Sequence, residues 1–377
     1  MIMVGITPTG KLPAVIPGWV NVLAQGVPGA VAAFDPVHGL YWQQGDPTGG
    51  LTFGNGSALW AMWADGHVSL VPPNADPRSD LGWRIDEASS NPITSTNDFT
   101  NGAWTPTNMT AALNAVGPDL VLNSASMLTA TAPNATIMQS ITSTSGTQKA
   151  SILIKAVNVT GAINLTIDGG ATWTAVTPGA AWAQVSIPKQ TLANPTFGLQ
   201  IANSGDSVAV WCAQTEKNLT GTGPTAPMPD GYTTRAVSSG ISFRTPWKVS
   251  NPYSVMCKTS NLGNTGATIV TQGAGVTLIS NPTPTTVSTS TISHTLTATL
   301  GSGNPLTGPC TIAMGADAAG RSLVANGGAV VSDNFPVIGN GIAIYGGVGS
   351  IKAPDGYIGP SVWWTSRLPD ATLQGFV

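Results

Sequence analysis

From residue 151 the chain alternates. SILIKAVNV (151–159) sets Ile152 and Ile154 against Leu153 and Lys155, and AINLTIDGGATW (162–173) carries Ile163, Leu165 and Ile167 on one side. Asp168-Gly169-Gly170 then turns the chain toward Trp173, and Asp-Gly between alternating runs is a strong hairpin signal. AWAQVSIP (181–188), FGLQIAN (197–203) and DSVAVWCAQTEK (206–217) keep the period of two. Short alternating segments at even spacing predict an antiparallel sandwich or jelly roll.

The same texture continues on both sides. Before residue 80, GLYWQQGD, GLTFGNGS and ALWAMWADGHVSLVPP read as short strands, with Trp60, Met62, Val68 and Leu70 on a rough period of two. PPNADPRSD (72–80) is dense in turn residues and marks a boundary at residue 80. A second Pro-Gly passage, GTGPTAPMPDGYTTRA, separates residues 81–222 from residues 223–377. The last region holds PYSVMCKTS, ATIVTQ, GVTLIS, ISHTLTATL, CTIAMG, GIAIYGG and SVWWTS, all short and alternating. The Ser/Thr tract 279–295 is expected to be an exposed loop with one strand. Only RLPDATLQGF (367–376) suggests a helical turn. The fold class is therefore all-β: two antiparallel β-sandwich or jelly-roll domains (81–222 and 223–377) in series after a Gly/Pro-rich β N-terminal region (1–80).

Composition sharpens this. Charged residues make up 8% of the chain, against roughly 25% in an average soluble protein. Disorder is excluded by the 42% hydrophobic content and twelve tryptophans. Pro, Gly, Asn or Thr breaks every apolar run short of the roughly 20 residues a spanning helix needs, so no membrane insertion is expected. Forty-five glycines and 29 prolines suit many strands joined by tight turns. A net charge of −3 with no basic run excludes nucleic acid as a partner. The N-terminus lacks a basic n-region and does not read as a secretory signal. Cys212, Cys257 and Cys310 are odd in number and lack metal spacing, so buried free thiols are expected, with a Cys257–Cys310 bridge left open.

Candidate chemistry is thin. His38, His67 and His294 stand in separate segments, with no GxSxG, HxH or HExxH pattern around them. Neither a metal nor a cofactor is expected. The two glutamates are Glu87, beside Asp86 and thus facing the other way in a strand, and Glu216, which reads as a solvated strand end beside Lys217. Aspartates mostly stand beside Gly, Pro or Asn, where turn formation explains them. No catalytic residue is assigned. Tryptophan is the remaining lead: exposed rings stack on sugars, although burial in a core is the commoner fate. Trp173, Trp182, Trp247, Trp363 and Trp364 are candidates for glycan contact, and alternation predicts one of the Trp363-Trp364 pair inward and one outward.

The order of several motifs adds a resemblance. GWRIDEASSN (82–91), NDFTNGAW (97–104), a Gly-Pro-Asp turn at 117–119, SILIKA, VWCAQTE (210–216) and the Thr/Pro-rich TGPTAPMPDGYTTRA with its Arg235 resemble a jelly-roll, carbohydrate-binding-module-like domain of tailed-phage virion proteins. Cys212 stands where that module more usually has Gly. Residues 223–377, ending GYIGPSVWWTSRLPDATLQGF, resemble the concanavalin/laminin-G-like sandwich often joined to it. The likeness covers about residues 81–377. It implies that Phe99 and Trp104 form the first core strands, with Trp104 covering one end of the sandwich.

The resemblance further implies a non-enzymatic bacteriophage virion surface structural protein, a compact tail fibre or spike or a capsid decoration, assembled in the bacterial host cytoplasm. Its expected partners are itself, as a homotrimer, and other virion proteins of capsid or tail, with host surface glycan as an added contact. Residues 1–80 are expected to serve attachment or assembly. The alternative is a polysaccharide-degrading enzyme or its carbohydrate-binding module; a secreted adhesin is a third reading.

Overall fold

The computed structural model describes residues 16–44, 51–219, 225–236, 238–243, 248–249, 252–260, 262, 267–272, 277–283, 285–290, 295–304, 308–335, 341–345 and 356–376. The chain is all-β, with two antiparallel sandwiches in series and, among the described residues, two short helices.

The first sandwich is the jelly roll that the alternation predicts. One sheet has six strands in the order Met109–Ala115, Ala125–Ala130, Ser207–Lys217, Gly146–Asn158 and Ala183–Ser186, with Gln190–Leu192 also paired to Gly146–Asn158. The facing sheet runs Thr174–Val176, Ile163–Thr166, Thr196–Ile201, Ala135–Ser140, Thr105–Thr107. Ile152, Ile154, Ile163, Leu165 and Ile167 all enter the core between them, as their spacing requires. Phe99 and Trp104 lie in a turn-rich segment and not in strands. Their buried rings stack at 4.1 Å and cap the core, with Trp104 edge-on to Phe197. Strand pairing fails there because Asp98 and Asn101 hold local turns through their side chains and backbone.

Leu153, on the opposite face of its strand, is buried too. It meets Trp211, Cys212, Val68 and Trp60, because the hairpin Leu59–Met62/Val68–Val71 covers this outer face. Val68 N–H donates to Pro118 O at 2.8 Å, tying the hairpin to the Gly-Pro-Asp turn. Gly66, at φ +88°, lies so close to the Trp182 backbone that a Cβ would collide with its carbonyl.

The second sandwich takes in the described strands of the first 55 residues. Strand β1 (Ala30–Asp35) pairs with the last strand, Gly356–Trp364, in the register Ala30↔Trp364 to Phe34↔Ser361, and β2 (Leu40–Gln43) pairs with β1 at the sheet edge. Gly82–Ile85 pairs with the other half of the same last strand. Strand β3 (Leu51–Asn55) forms an edge of the second, eight-stranded sheet by pairing with Ser238–Phe243. Residues read from sequence as a region of their own thus supply strands to both sheets of the C-terminal sandwich. Between the sheets lie Trp83, Tyr253, Val255, Cys257, Ile269, Ile312, Leu323 and Trp363. On the outer face of the nine-stranded sheet, helices Gly18–Leu23 and Asp370–Gln374 cover Met256, Val362 and Trp364. The three cysteines are buried free thiols.

The Ser/Thr tract differs from expectation. Thr277–Thr283 and Thr286–Ser290 form a hairpin, and the latter pairs onward with Thr295–Thr299, with Val287 and Thr289 buried. β-Branched threonine suits a pleated surface as well as a loop, so composition alone misreads it. His294 lies outside the described residues.

Candidate functional site

The tryptophan pair is wholly buried, against the expectation that one ring would be exposed. Alternation does separate the two: Trp363 points into the sandwich beside Tyr253 (6.2 Å), and Trp364 points outward. There it meets Phe376 at 5.4 Å under the two helices, and its indole N–H reaches Val27 O. A sheet covered on both faces leaves no outward ring. Trp173 and Trp182 are half-buried. Trp173 folds against Gly170 of its own turn, and Trp182 packs on the hairpin cluster with Trp60 and Met62. Trp247 lies outside the described residues.

Asp86 and Glu216, from two of the motifs, meet in one buried clasp. Arg84 grips Asp86 with Nε at 3.0 Å from both carboxylate oxygens and Nη2 at 2.6 Å. Arg235 donates to Glu216 Oε1 (2.9 Å), Ala226 O (2.8 Å) and Glu87 O (3.0 Å). Gln214 and the Thr225 hydroxyl hold the other Glu216 oxygen. Ala226 N–H donates to Asp86, and Asn91 accepts from Thr215 N–H. Burial opposes the Asp86 charge, yet Arg84 and Arg235 outweigh it and hold the carboxyl below its usual range. Glu216 is therefore no solvated strand end: Arg235 folds back over it across the Pro-Gly passage. The clasp joins the start of the jelly roll (Asp86, Asn91) to its last strand (Gln214, Glu216). It reaches the second sandwich through Arg84, which lies 5.0 Å over the Tyr357 ring.

A cleft of about 180 Å³ opens at the edge of the second sandwich. Strands β1 and β2 of one sheet and β3 of the other border it, so it lies where the two edge strands diverge. Leu40, Tyr41, Leu51, Phe53 and Trp83 give it an apolar lining, and Asp35 and Asp76 supply the ionisable groups. Trp83 is held edge-on to Phe53 (5.9 Å) and packs on Phe34 (4.3 Å). Tyr41 is oriented by its hydroxyl, which donates to Gln43 at 2.8 Å.

Both carboxylates are fixed in place. Asp35 Oδ1 accepts the Val37 and His38 N–H groups, and Oδ2 lies 2.6 Å from His38 Nδ1. Asp76 Oδ1 accepts the Trp83 indole N–H at 2.9 Å, and Oδ2 lies 3.5 Å from Arg78 Nε. Burial pushes the Asp76 carboxyl up, with Arg78 and the Trp83 hydrogen bond offsetting part of the effect. Gly39, at φ +65°, leaves room for the Arg78 guanidinium, which a Cβ would strike. Chemically the cleft offers oriented hydrogen-bond acceptors above an apolar, ring-lined surface. Sequence pattern passes it over because Asp35-Pro36 and Asp76-Pro77 both look like turn formers, and only Asp35-Pro36 is one. Their adjacency to Tyr41 and Phe53 arises only from pairing.

No family model and no curated protein matches the chain. Among solved structures it is similar to the enzymatically active domain of bacteriophage CBA120 tailspike protein 4, at 13% identity and TM-score 0.26 over 33% of this chain. The chain spans about a fifth of that structure (21%). It is also similar to the CBM22-1 xylan-binding domain of Paenibacillus barcinonensis Xyn10C, at 13% identity, TM-score 0.25, and 36% and 96% coverage. A third likeness is to Trypanosoma rangeli sialidase, at 8% identity, TM-score 0.29, and 66% and 60% coverage. Scores this low leave the architecture to rest on the strand topology itself.

Proposed function

We propose that this chain is a non-enzymatic structural protein of a tailed-phage virion surface, a compact appendage or head decoration that assembles as a homotrimer against capsid or tail proteins. The observation that carries the reading is the clasp. Three of the motifs whose order resembles the virion module (82–91, 210–216 and the Thr/Pro-rich passage with Arg235) meet in one buried, charge-balanced network, in which Asp86 and Glu216 serve as anchors and are closed to a substrate. Two further features support self-assembly. Edge strand Met109–Ala115 carries no charge to guard it, and the turn after it exposes Leu120, Val121 and Leu122.

Light scattering of the purified chain, with antibody labelling of virions, tests the reading. The expected result is a trimer and a label on the particle surface; a soluble monomer absent from virions overturns it. A carbohydrate-binding module is the second reading, favoured by the cleft between β2 and β3. The two readings are compatible, because weak sugar binding multiplied over many copies gives useful avidity.

A further inference from the structure

We propose that the cleft bordered by β1, β2 and β3 is a binding subsite for one uncharged hexopyranose residue of a glycan. It selects against uronic and sialic acids.

Shape and chemistry both lead to a sugar. The cleft volume, about 180 Å³, is comparable to the roughly 150 Å³ of an apolar cavity that holds one benzene ring. That is room for a single ring and too little for a drug-sized ligand, whose pockets start at about 300 Å³. A pyranose has an apolar C–H face and a rim of hydroxyl donors. The cleft answers each: Tyr41, Phe53 and the two leucines line it with carbon, while Asp35 and Asp76 present acceptors. One oxygen of each carboxylate is held by backbone or indole N–H groups, and the other faces His38 Nδ1 (2.6 Å, Asp35) or Arg78 Nε (3.5 Å, Asp76). The direction of each is thus set before a ligand arrives, and a sugar hydroxyl takes up a remaining lone pair. Preorganised acceptors of this kind lower the ordering cost of binding.

Charge sets the selectivity. Both ionisable groups lining the cleft are acids, and their partners His38 (on Asp35) and Arg78 (on Asp76) are not part of its lining, so an anionic sugar would meet carboxylates first. Arg78 does not offset this freely, because it already lies beside Asp76 and against Gly39. A protein amine would satisfy the acids as well. A ring that covers Tyr41 and Phe53 while donating to both carboxylates uses the whole lining.

The inference does not depend on the virion reading. The full-length purified chain would be titrated with methyl glucoside, methyl galactoside, methyl mannoside, N-acetylglucosamine, glucuronate and butylamine, with saturation-transfer NMR as the readout. At least one neutral sugar should bind, and glucuronate should give no signal. Asp76→Asn keeps an oxygen for the Trp83 indole but replaces the other acceptor with a donor. It should weaken binding by about tenfold or more, the usual cost of one hydrogen bond to a charged group. Tyr41→Ala should abolish binding, Leu122→Ser should leave it unchanged, and thermal melts would verify folding. Asp35→Asn replaces any variant that fails to fold. The proposal falls if no neutral sugar binds, if glucuronate or butylamine binds better, or if the cleft variants bind as the wild type does. Sugar binding by a chain absent from virions would keep the cleft and sink the virion reading. A virion-borne chain that binds no sugar would do the reverse.

Discussion

Arg235 Nη2 donates to Glu216 Oε1 at 2.9 Å, and both side chains are almost sealed from water. Removing one member leaves a buried charge without its partner, a loss of about 3–5 kcal/mol in comparable pairs. Glu216→Gln should therefore lower stability by that order in urea unfolding followed by tryptophan fluorescence. Arg235→Met in the same background should recover part of the loss, since both charges are then gone. A single-variant loss below about 0.5 kcal/mol would mean that water reaches the pair.

Acid should open the same clasp through Asp86. Its carboxyl is held below the ordinary value, so the folded state binds its proton less readily than the unfolded chain. The stability this contributes is present above the unfolded pKa of about 3.9 and is lost as pH falls through the lower folded value. Melting temperature should drop more steeply below about pH 4 in the wild type than in Asp86→Asn, with the two curves converging. Parallel curves would remove Asp86 from the acid response.

Trp364 and Trp173 should differ sharply despite equal prominence in the sequence. Trp364 is sealed between the sheet and two helices, and truncating such a ring to Ala costs about 3–5 kcal/mol. Trp173, half-buried over its own turn, should cost under about 1 kcal/mol, as surface substitutions usually do. Denaturant midpoints of the two alanine variants decide this. Equal losses would place Trp173 in a contact between subunits.

What the sequence disclosed and what it hid follow one division. Period-two alternation located the jelly-roll strands and the inward faces of Ile152, Ile163 and Leu165, because that signal is local. Partners far apart in sequence left no such trace. Ala30 pairs with Trp364, and β1 and β2 could not announce that they complete a sheet begun at the other end of the chain. Alternation correctly put Trp363 and Trp364 on opposite faces but could not say that both faces are covered. Glu216 looked solvated because Arg235 is 19 residues away. The cleft was hidden for the same reason, since Asp35, Tyr41, Phe53 and Asp76 share no period and meet only through strand pairing.

If the homotrimer forms through the exposed turn, Leu120 and Leu122 are buried only in the assembly. Replacing both with Ser should leave the unfolding midpoint of the isolated chain nearly unchanged, within about 0.5 kcal/mol. The mass measured by light scattering should fall to that of one chain. A trimer that survives the double substitution would move the contact elsewhere.

Cys212 explains why its position in the resembling module more usually holds Gly. Its φ is +53°, in the left-handed region. The strand register shifts there, from Ser151↔Gln214 to Leu153↔Trp211, so Cys212 and Ala213 form a bulge. A side chain in this conformation costs roughly 1–2 kcal/mol, and glycine escapes that cost. The thiol returns part of it through burial and a 3.3 Å contact with Gln214 Oε1. Comparing Cys212→Ala with Cys212→Gly separates the two effects, since both lose the sulfur and only one relieves the backbone. Within a strand Ala is ordinarily the more stable of the two by roughly 0.5–1 kcal/mol. Here the order should reverse, with Gly ahead by about 1 kcal/mol in urea unfolding. Ala ahead of Gly would show that residue 212 does not hold the left-handed conformation in solution.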